Sequence, residues 1–410
     1  MTRLKYGFSI LLLVAVIGFV FIKKQNSNAS SEKSIIDVTT ILNKAEQQFY
    51  LLKKHAKQEN KIPRTLNANG VVHWTNTNFD WTEGFFPGSC WYLYEYSNKN
   101  EWKNAAEHFQ SLFENHKYVT TNHDLGFIFN CSYGNGYRLT NNEAFKEVLI
   151  TAADSLSTRY NTNVGCLKSW DVKGGWQSKR NWEFPVIIDN MMNLELLFKA
   201  SEFTGKPAYK EIAISHANTT IKNHFRKDYS SYHVIDYNPE TGEVRSKQTA
   251  QGFADESSWA RGQAWGLYGY TVCYRYTKDK RYLQLAENIA KYILSNNSIP
   301  EDGVPYWDYD TDNIPNTPRD VSAATITLSA LIELDSYTKQ SYFNHINKLI
   351  TTLSSSAYTA KIGENQNFVL KHSVGSIPHN NEIDVPLNYA DYYYIEALLR
   401  YKKQYLNIND

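Results

Sequence analysis

The chain is short of the residues that staple a fold or hold a metal. It has four cysteines in 410 residues, Cys90, Cys131, Cys166 and Cys273. None forms a CxxC pair, and none has histidine partners at zinc-finger spacing, which excludes a structural zinc module. Single buried thiols are expected, with one disulfide left open. An excess of either charge is also missing, with 43 Lys and Arg against 42 Asp and Glu. That balance gives no polybasic face for nucleic acid or a membrane surface, and leaves only a local basic stripe as a route to either. A regular sequence period, the mark of an open solenoid, is absent as well. Aromatics, by contrast, are plentiful at 14%, with 30 Tyr and 10 Trp. Their apolar bodies and polar edges suit sugar rings as well as a helical core.

The first 25 residues have the layout of a targeting segment. Arg3 and Lys5 precede an apolar run from Gly7 to Ile22, and Lys23 and Lys24 close it. The run is short for a full span and suits a secretory core, with Ser27–Asn28–Ala29 as a cleavage site. Residues 1–25 are therefore expected to be a signal peptide or, second, an uncleaved N-terminal anchor, the one route to a membrane. No Cys follows the run for lipid attachment. Residues 26–34 read as a polar linker and 35–410 as one domain. The working part is expected outside the cytoplasm, in the periplasm first, or secreted or membrane-anchored.

From Ile35 onward the pattern is helical. Candidate helices are 36–57, 84–98, 101–116, 124–138, 142–160, 186–204, 207–225, 256–276, 279–295, 320–337, 340–355 and 388–403. They fall into pairs joined by short polar turns, so the expected class is all-α, a six-hairpin toroid or (α/α)6 barrel. Four longer links break the rhythm: 161–183, 228–252, 298–318 and 360–387. The second reads as a small β-hairpin, Tyr232–Tyr237 against Glu243–Ser246. Long loops on a helical body often carry function.

Four constellations carry candidate chemistry. In FPVIIDNMMNLELL, 184–197, Pro185 suits the first turn of a helix and Asp189 sits on an apolar face. A carboxylate there must be paired or shifted in pKa; Asn193 is its structural candidate partner. In NHDLGF, 122–127, Asp124 opens a predicted helix and could be its N-cap. In the run 251–266, Arg261 and Trp265 are four residues apart on one helical face, fit for a sugar acid or for stacking on each other. His233 lies inside the hairpin.

Taken in order, these motifs resemble the unsaturated glucuronyl hydrolases, glycoside hydrolase family 88. The resemblance runs from WTEGFFPG at 81–88, through HDLGF, FPVIIDNMMNLELL and SSWARGQAWGLYGY at 257–270, to NYADYYYIEAL at 388–398. It implies an (α/α)6 barrel acting, without a metal or other cofactor, on oligosaccharides that polysaccharide lyases leave behind. These begin with a 4,5-unsaturated uronic acid. It implies that Asp189 is the general acid/base and Asp124 the second essential aspartate. It places His233, Gln251, Arg261 and Trp265 in the first sugar subsite, with Thr249 in the same loop. Family members that read sulfate do so through Ser and Lys in a C-terminal loop. Here the matching stretch, 371–378, keeps Ser373 and Ser376 but has Pro378 where the lysine stands. A secreted, tyrosine-rich chain with this altered loop leads us to expect unsaturated disaccharides from a sulfated algal polysaccharide such as ulvan, with glycosaminoglycan products (chondroitin or hyaluronan) next. The rival readings are an unsaturated rhamnogalacturonyl hydrolase and a non-catalytic carbohydrate-binding toroid.

Overall fold

Helices alternate between two rings. The computed structural model describes residues 36–75 and 78–406, so the expected targeting segment and linker lie outside the described residues. In chain order the helices are α1 (Val38–Glu59), α2 (Phe85–Ser97), α3 (Asn100–Ser111), α4 (Asn135–Thr140), α5 (Glu143–Ser157), α6 (Leu194–Thr204), α7 (Pro207–His224), α8 (Ala260–Thr277), α9 (Lys280–Ser295), α10 (Val321–Asp335), α11 (Phe343–Leu353) and α12 (Asn388–Tyr405). A π-helix, Gly126–Gly134, leads into α4. The even-numbered helices, with that π-helix, pack each on the next, and α12 returns to α2. The odd-numbered helices lie against them from outside, and α1 packs on α12, so the first outer helix meets the last inner one. The fold is an (α/α)6 barrel.

Sequence pattern decides which ring a helix joins. Outer helix α9 buries Tyr282, Leu285, Ala286, Ile289, Ala290 and Ile293, one stripe at helical spacing. Outer α11 does the same with Phe343, Ile346, Leu349, Ile350 and Leu353. Inner α10 is buried along almost its whole length, as are the first 14 residues of α8, from Ala260 to Cys273. Apart from Arg261, these buried stretches carry uncharged residues on all sides, which suits a position between neighbours. Caps set the ends: Asp279 and Asp320 accept from backbone N–H groups at the starts of α9 and α10, and Asn60, Asn98 and Asn141 end helices in the left-handed region.

The strands are short and sit in the long links. Pairs β1 (Pro63–Leu66) with β2 (Val72–Trp74), and β3 (Tyr160–Asn161) with β4 (Cys166–Leu167), are antiparallel. A three-stranded sheet runs β5 (Phe184–Ile187), β6 (Val234–Tyr237), β7 (Val244–Gln248), and β8 (Ser373–Ser376) pairs with β9 (Asn381–Val385). The expected hairpin is thus present and has gained a third strand.

That strand corrects the reading of 186–204 as one helix opened by Pro185. Phe184–Ile187 is an edge strand, Ile188–Asn193 a 3-10 turn, and the α-helix begins only at Leu194. Val186, Ile187 and Ile188 are β-branched, and an edge strand tolerates Pro185 because its missing N–H faces away from the ladder. Buried Asp236 anchors the strand's start by accepting from the backbone N–H groups of Glu183 and Phe184, each at 2.9 Å. A short apolar run fits either period, and pairing with β6 decides it. All four cysteines are buried and free.

Candidate active site

The 3-10 turn carries Asp189 into the barrel. Asp189 is buried, 8% exposed, and burial lifts its pKa to about 7 against the pull of Arg261 and the indole N–H of Trp265. Asn193 does not satisfy it. Asn193 Oδ1 accepts from the backbone N–H of Phe127 at 3.1 Å, and its Nδ2 lies 3.3 Å from His123 Nδ1. Asn190 reaches the other way, donating to the carbonyl of Leu167 at 2.9 Å. The two asparagines tie the Asp189 turn to its neighbours and leave the carboxylate open.

One of those neighbours carries Asp124. A Cβ on Gly126 would stand 2.4 Å from Asn193 Cα, so only glycine lets the two segments approach this closely. The Asp124 side chain does not cap the π-helix that follows; it accepts no bond from that helix's backbone. It is 8% exposed, and burial, then the charge of Asp189, push its pKa well above the usual carboxylate range. Two carboxyls that feel each other in a dry site cannot both ionise cheaply, so the pair keeps a proton towards neutral pH and titrates as a unit.

Each acid is attended by a neutral histidine. His123 Nε2 lies 3.3 Å from Asp124 Oδ1, and His233 Nε2 lies 3.7 Å from Asp189 Oδ2. Nδ1 of His233 accepts from the backbone N–H groups of Ala250, at 3.0 Å, and Gln251, at 3.2 Å. Its ring proton is therefore on Nε2, facing Asp189. Burial first, then Arg261, keeps His233 well below its ordinary pKa, and burial holds His123 at about 3.

Thr249 and Gln251 shape the loop that closes on His233. Thr249 Oγ1 accepts from the Gly252 N–H at 2.8 Å, and Gln251 Nε2 donates to the carbonyl of Gly375 at 3.3 Å. Arg261, at the first turn of α8, is 1% exposed. It pairs with Asp320 at 3.0 Å, donates to the carbonyls of Val374 and Gly375, and stacks on Trp259 with its guanidinium carbon 4.5 Å from the ring centre. It does not pair with Trp265. The Trp265 ring is fully buried against Phe127 and Tyr393, at 5.0 and 5.4 Å between centres. What Trp265 offers the site is its N–H, not its face.

The structure thus brings Asp124, Asp189, His233, Thr249, Gln251 and Arg261 to one mouth, with Trp265 beneath. Among the described residues, buried polar atoms with no hydrogen-bond partner include Asp189 Oδ2, His123 Nε2, His233 Nε2, Arg261 Nε, Trp265 Nε1 and Tyr389 Oη. Such groups are costly unless something arrives to pair with them. Tyr389 and Trp81 are additions that residue-by-residue reading missed. Their rings meet at 4.9 Å, Trp81 is partly exposed, and Tyr389 lies beside the Arg261 guanidinium. The signal was present in WTEGFFPG and NYADYYY, the first and last matching motifs. Asp124, Asp189, Arg261 and Tyr389 stand at or just before the N-terminal ends of inner-ring helical segments, whose partial positive charges favour an anion.

Two carboxyls holding a proton in a dry pocket, with aromatic faces and an anion-favouring field, define a general acid–base enzyme for acidic sugars. Comparison with known proteins agrees. Residues 54–398 match the model of Glycosyl Hydrolase Family 88, and the chain belongs to that family. An unsaturated glucuronyl hydrolase of Formosa agariphila is 42% identical over 393 residues, covering 95% of this chain and 97% of that protein. An unsaturated chondroitin disaccharide hydrolase of Streptococcus agalactiae is 33% identical over 379 residues, 90% of this chain and 92% of that one. The crystal structure of an unsaturated glucuronyl hydrolase specific for heparin superposes with a TM-score of 0.84 at 46% identity, covering 89% of this chain and 97% of the other. The chain is a glycosidase of the unsaturated glucuronyl hydrolase type, which sets aside the rival readings.

Proposed function

We propose that Asp189 hydrates the C4=C5 enol ether of a terminal unsaturated uronate. Its carboxyl gives a proton to C4, and C5 becomes an oxocarbenium-like cation. A water then loses a proton to the Asp189 carboxylate and adds at C5. The resulting hemiketal opens the ring, and the hemiacetal left at C1 expels the second sugar as an alcohol. The glycosidic bond is never attacked directly, unlike the usual two-carboxylate cleavage. Asp124 holds the sugar and stabilises the charge on the ring; His233 turns its unpartnered Nε2–H towards the reacting carboxyl as a donor for the substrate. Arg261 supports the uronate carboxylate through Nε and the field of its charge.

The observation that carries this reading is the open Asp189 carboxyl, ringed by unpartnered donors at a mouth shared with Asp124. The proposed substrates are unsaturated disaccharides from ulvan-type or glycosaminoglycan polysaccharides. The relatives specific for heparin and named for chondroitin disaccharide support that range. Export to the periplasm, proposed from the segment at residues 1–25, would place the enzyme where such lyase products arrive. The test follows the ultraviolet absorbance of the enol ether. Wild type bleaches it, and Asp189→Asn, still folded, loses at least about a thousandfold in kcat, within the range removal of an acid/base group costs. Bleaching at the wild-type rate would remove Asp189 from the role.

A further inference from the structure

Loop 170–182 approaches the mouth and is not used by the chemistry above. Trp170 contacts the His233 ring at 6.1 Å and the Trp176 ring at 5.1 Å. Trp176 in turn meets His379 at 4.9 Å, just after β8. Trp176 is only partly buried. These contacts place Trp176 and His379 one residue layer outward from His233, where the sugar after the uronate would lie.

Arg180 ends the same loop. Its guanidinium lies over Trp182, 5.1 Å from the ring centre, and donates to the carbonyl of Thr249, in the loop that folds over His233. Every other described arginine has a carboxylate within salt-bridge distance. Arg180 has none. A guanidinium has five donors in a fixed fork, suited to two oxygens of one anion, and a single backbone carbonyl leaves most of them unused. His379 offers a second donor nearby. Ser376 Oγ occupies its Nδ1 at 2.7 Å, which leaves Nε2 for a ligand. The two groups also sense each other: burial first, then Arg180, hold the His379 pKa below its ordinary value.

We propose that Arg180 and His379, over the Trp176 ring, form a subsite for an anionic substituent on the sugar that follows the unsaturated uronate. The inference rests on the activity proposed above. The anion's oxygens take the Arg180 fork and His379 Nε2, while the apolar face of that sugar lies on Trp176. Sulfate ester and carboxylate share this chemistry, and the substrates below separate them.

The experiment compares three unsaturated disaccharides, one sulfated on the second sugar, one unsubstituted, and one carrying a carboxylate there. Wild type, Arg180→Gln and Arg180→Lys are assayed on each. Gln keeps a donor for the Thr249 carbonyl, so the loop is retained. The expected result is that Arg180→Gln lowers kcat/KM by about tenfold or more on the anionic disaccharide that wild type prefers, through KM, and by less than about twofold on the unsubstituted one. Arg180→Lys, a point charge without the fork, recovers part of the loss. Preference for the sulfated or the carboxylated compound identifies the anion. An equal loss on all three, or no change on any, overturns the subsite. Failure of wild type to bleach any of the three overturns the activity itself.

Discussion

Asp189 and Asp124 have raised pKa values for the same primary reason, burial, and the sign of the consequence can be worked out. A carboxyl whose native pKa lies above its unfolded one binds its proton more tightly when folded. The stability it contributes is therefore lost as pH rises from the unfolded value, 3.8 for Asp189, through the native one, about 7. Asp189→Asn removes that cost, and the variant is expected to melt several degrees above wild type at pH 8, with the gap closing at pH 5. Thermal unfolding at the two values checks it; a gap that does not change with pH would show that Asp189 does not titrate in this range. Catalysis shares the same titration. Wild-type kcat/KM is expected to fall as pH rises through about 7, because the carboxyl pair loses the proton that C4 must receive.

Two short elements bring the acids together, and their contact depends on one missing methyl group. Gly126 packs its Cα side against Asn193, the last residue of the 3-10 turn. Gly126→Ala would push apart the π-helix segment holding Asp124 and the turn holding Asp189. A few tenths of an ångström cannot relieve a contact of 2.4 Å to backbone, so the whole segment must shift. The expected cost is about 1–3 kcal/mol of stability, as for overpacked cores, together with a hundredfold or larger fall in kcat. Unfolding by urea and steady-state rates would check both; normal kcat would mean that the separation of these elements does not matter. The π-helix itself belongs to this argument, since such irregular turns cluster at functional sites. Periodicity predicted an ordinary helix over 124–138, because a π-turn differs from an α-turn by one residue in register and leaves the apolar pattern intact.

Across the whole barrel, the two mouths are chemically opposite. Inner-helix N-termini gather at the acid pair; inner-helix C-termini gather at the far end, around a cavity of about 1090 Å³. Phe127 and Met192 line its inner limit, next in the chain to the site. Partial negative charge from helix ends accumulates there, and cations answer it. Arg275 bonds Glu333 through two donors at 2.6 Å and Glu195 at 2.7 Å, while Arg400 reaches Glu333 and Glu396, each at 3.0 Å. Against burial, which raises them, Lys199, Arg275 and Arg400 hold Glu195 down at about 2, and Arg275 and Arg400 do the same for Glu333. Arg275→Met leaves Glu333 to Arg400 and Glu195 to Lys199 alone, breaking the buried pairs that Arg275 makes with both. It is expected to cost about 3–5 kcal/mol of stability while leaving kcat of the folded enzyme within about twofold, since the network touches neither acid of the site. A large loss of kcat at low temperature, where the variant stays folded, would show that the far mouth communicates with the chemistry.

Twelve helices, their pairing and the closed ring were legible in the chain, because burial of one stripe or of all faces is written directly into residue spacing. So were Asp124, Asp189 and His233 as candidates, because ionisable groups inside apolar or aromatic runs stand out by composition. Three things were decided only by folding. Phe184–Ile187 became a strand because β6 was there to pair with it; Arg261 turned from Trp265 to Trp259 and Asp320 because helix neighbours fill the space around it; and Trp265 lost its face to Phe127 and Tyr393. Each depends on contacts between residues distant in sequence, and local spacing carries no record of which partner arrives.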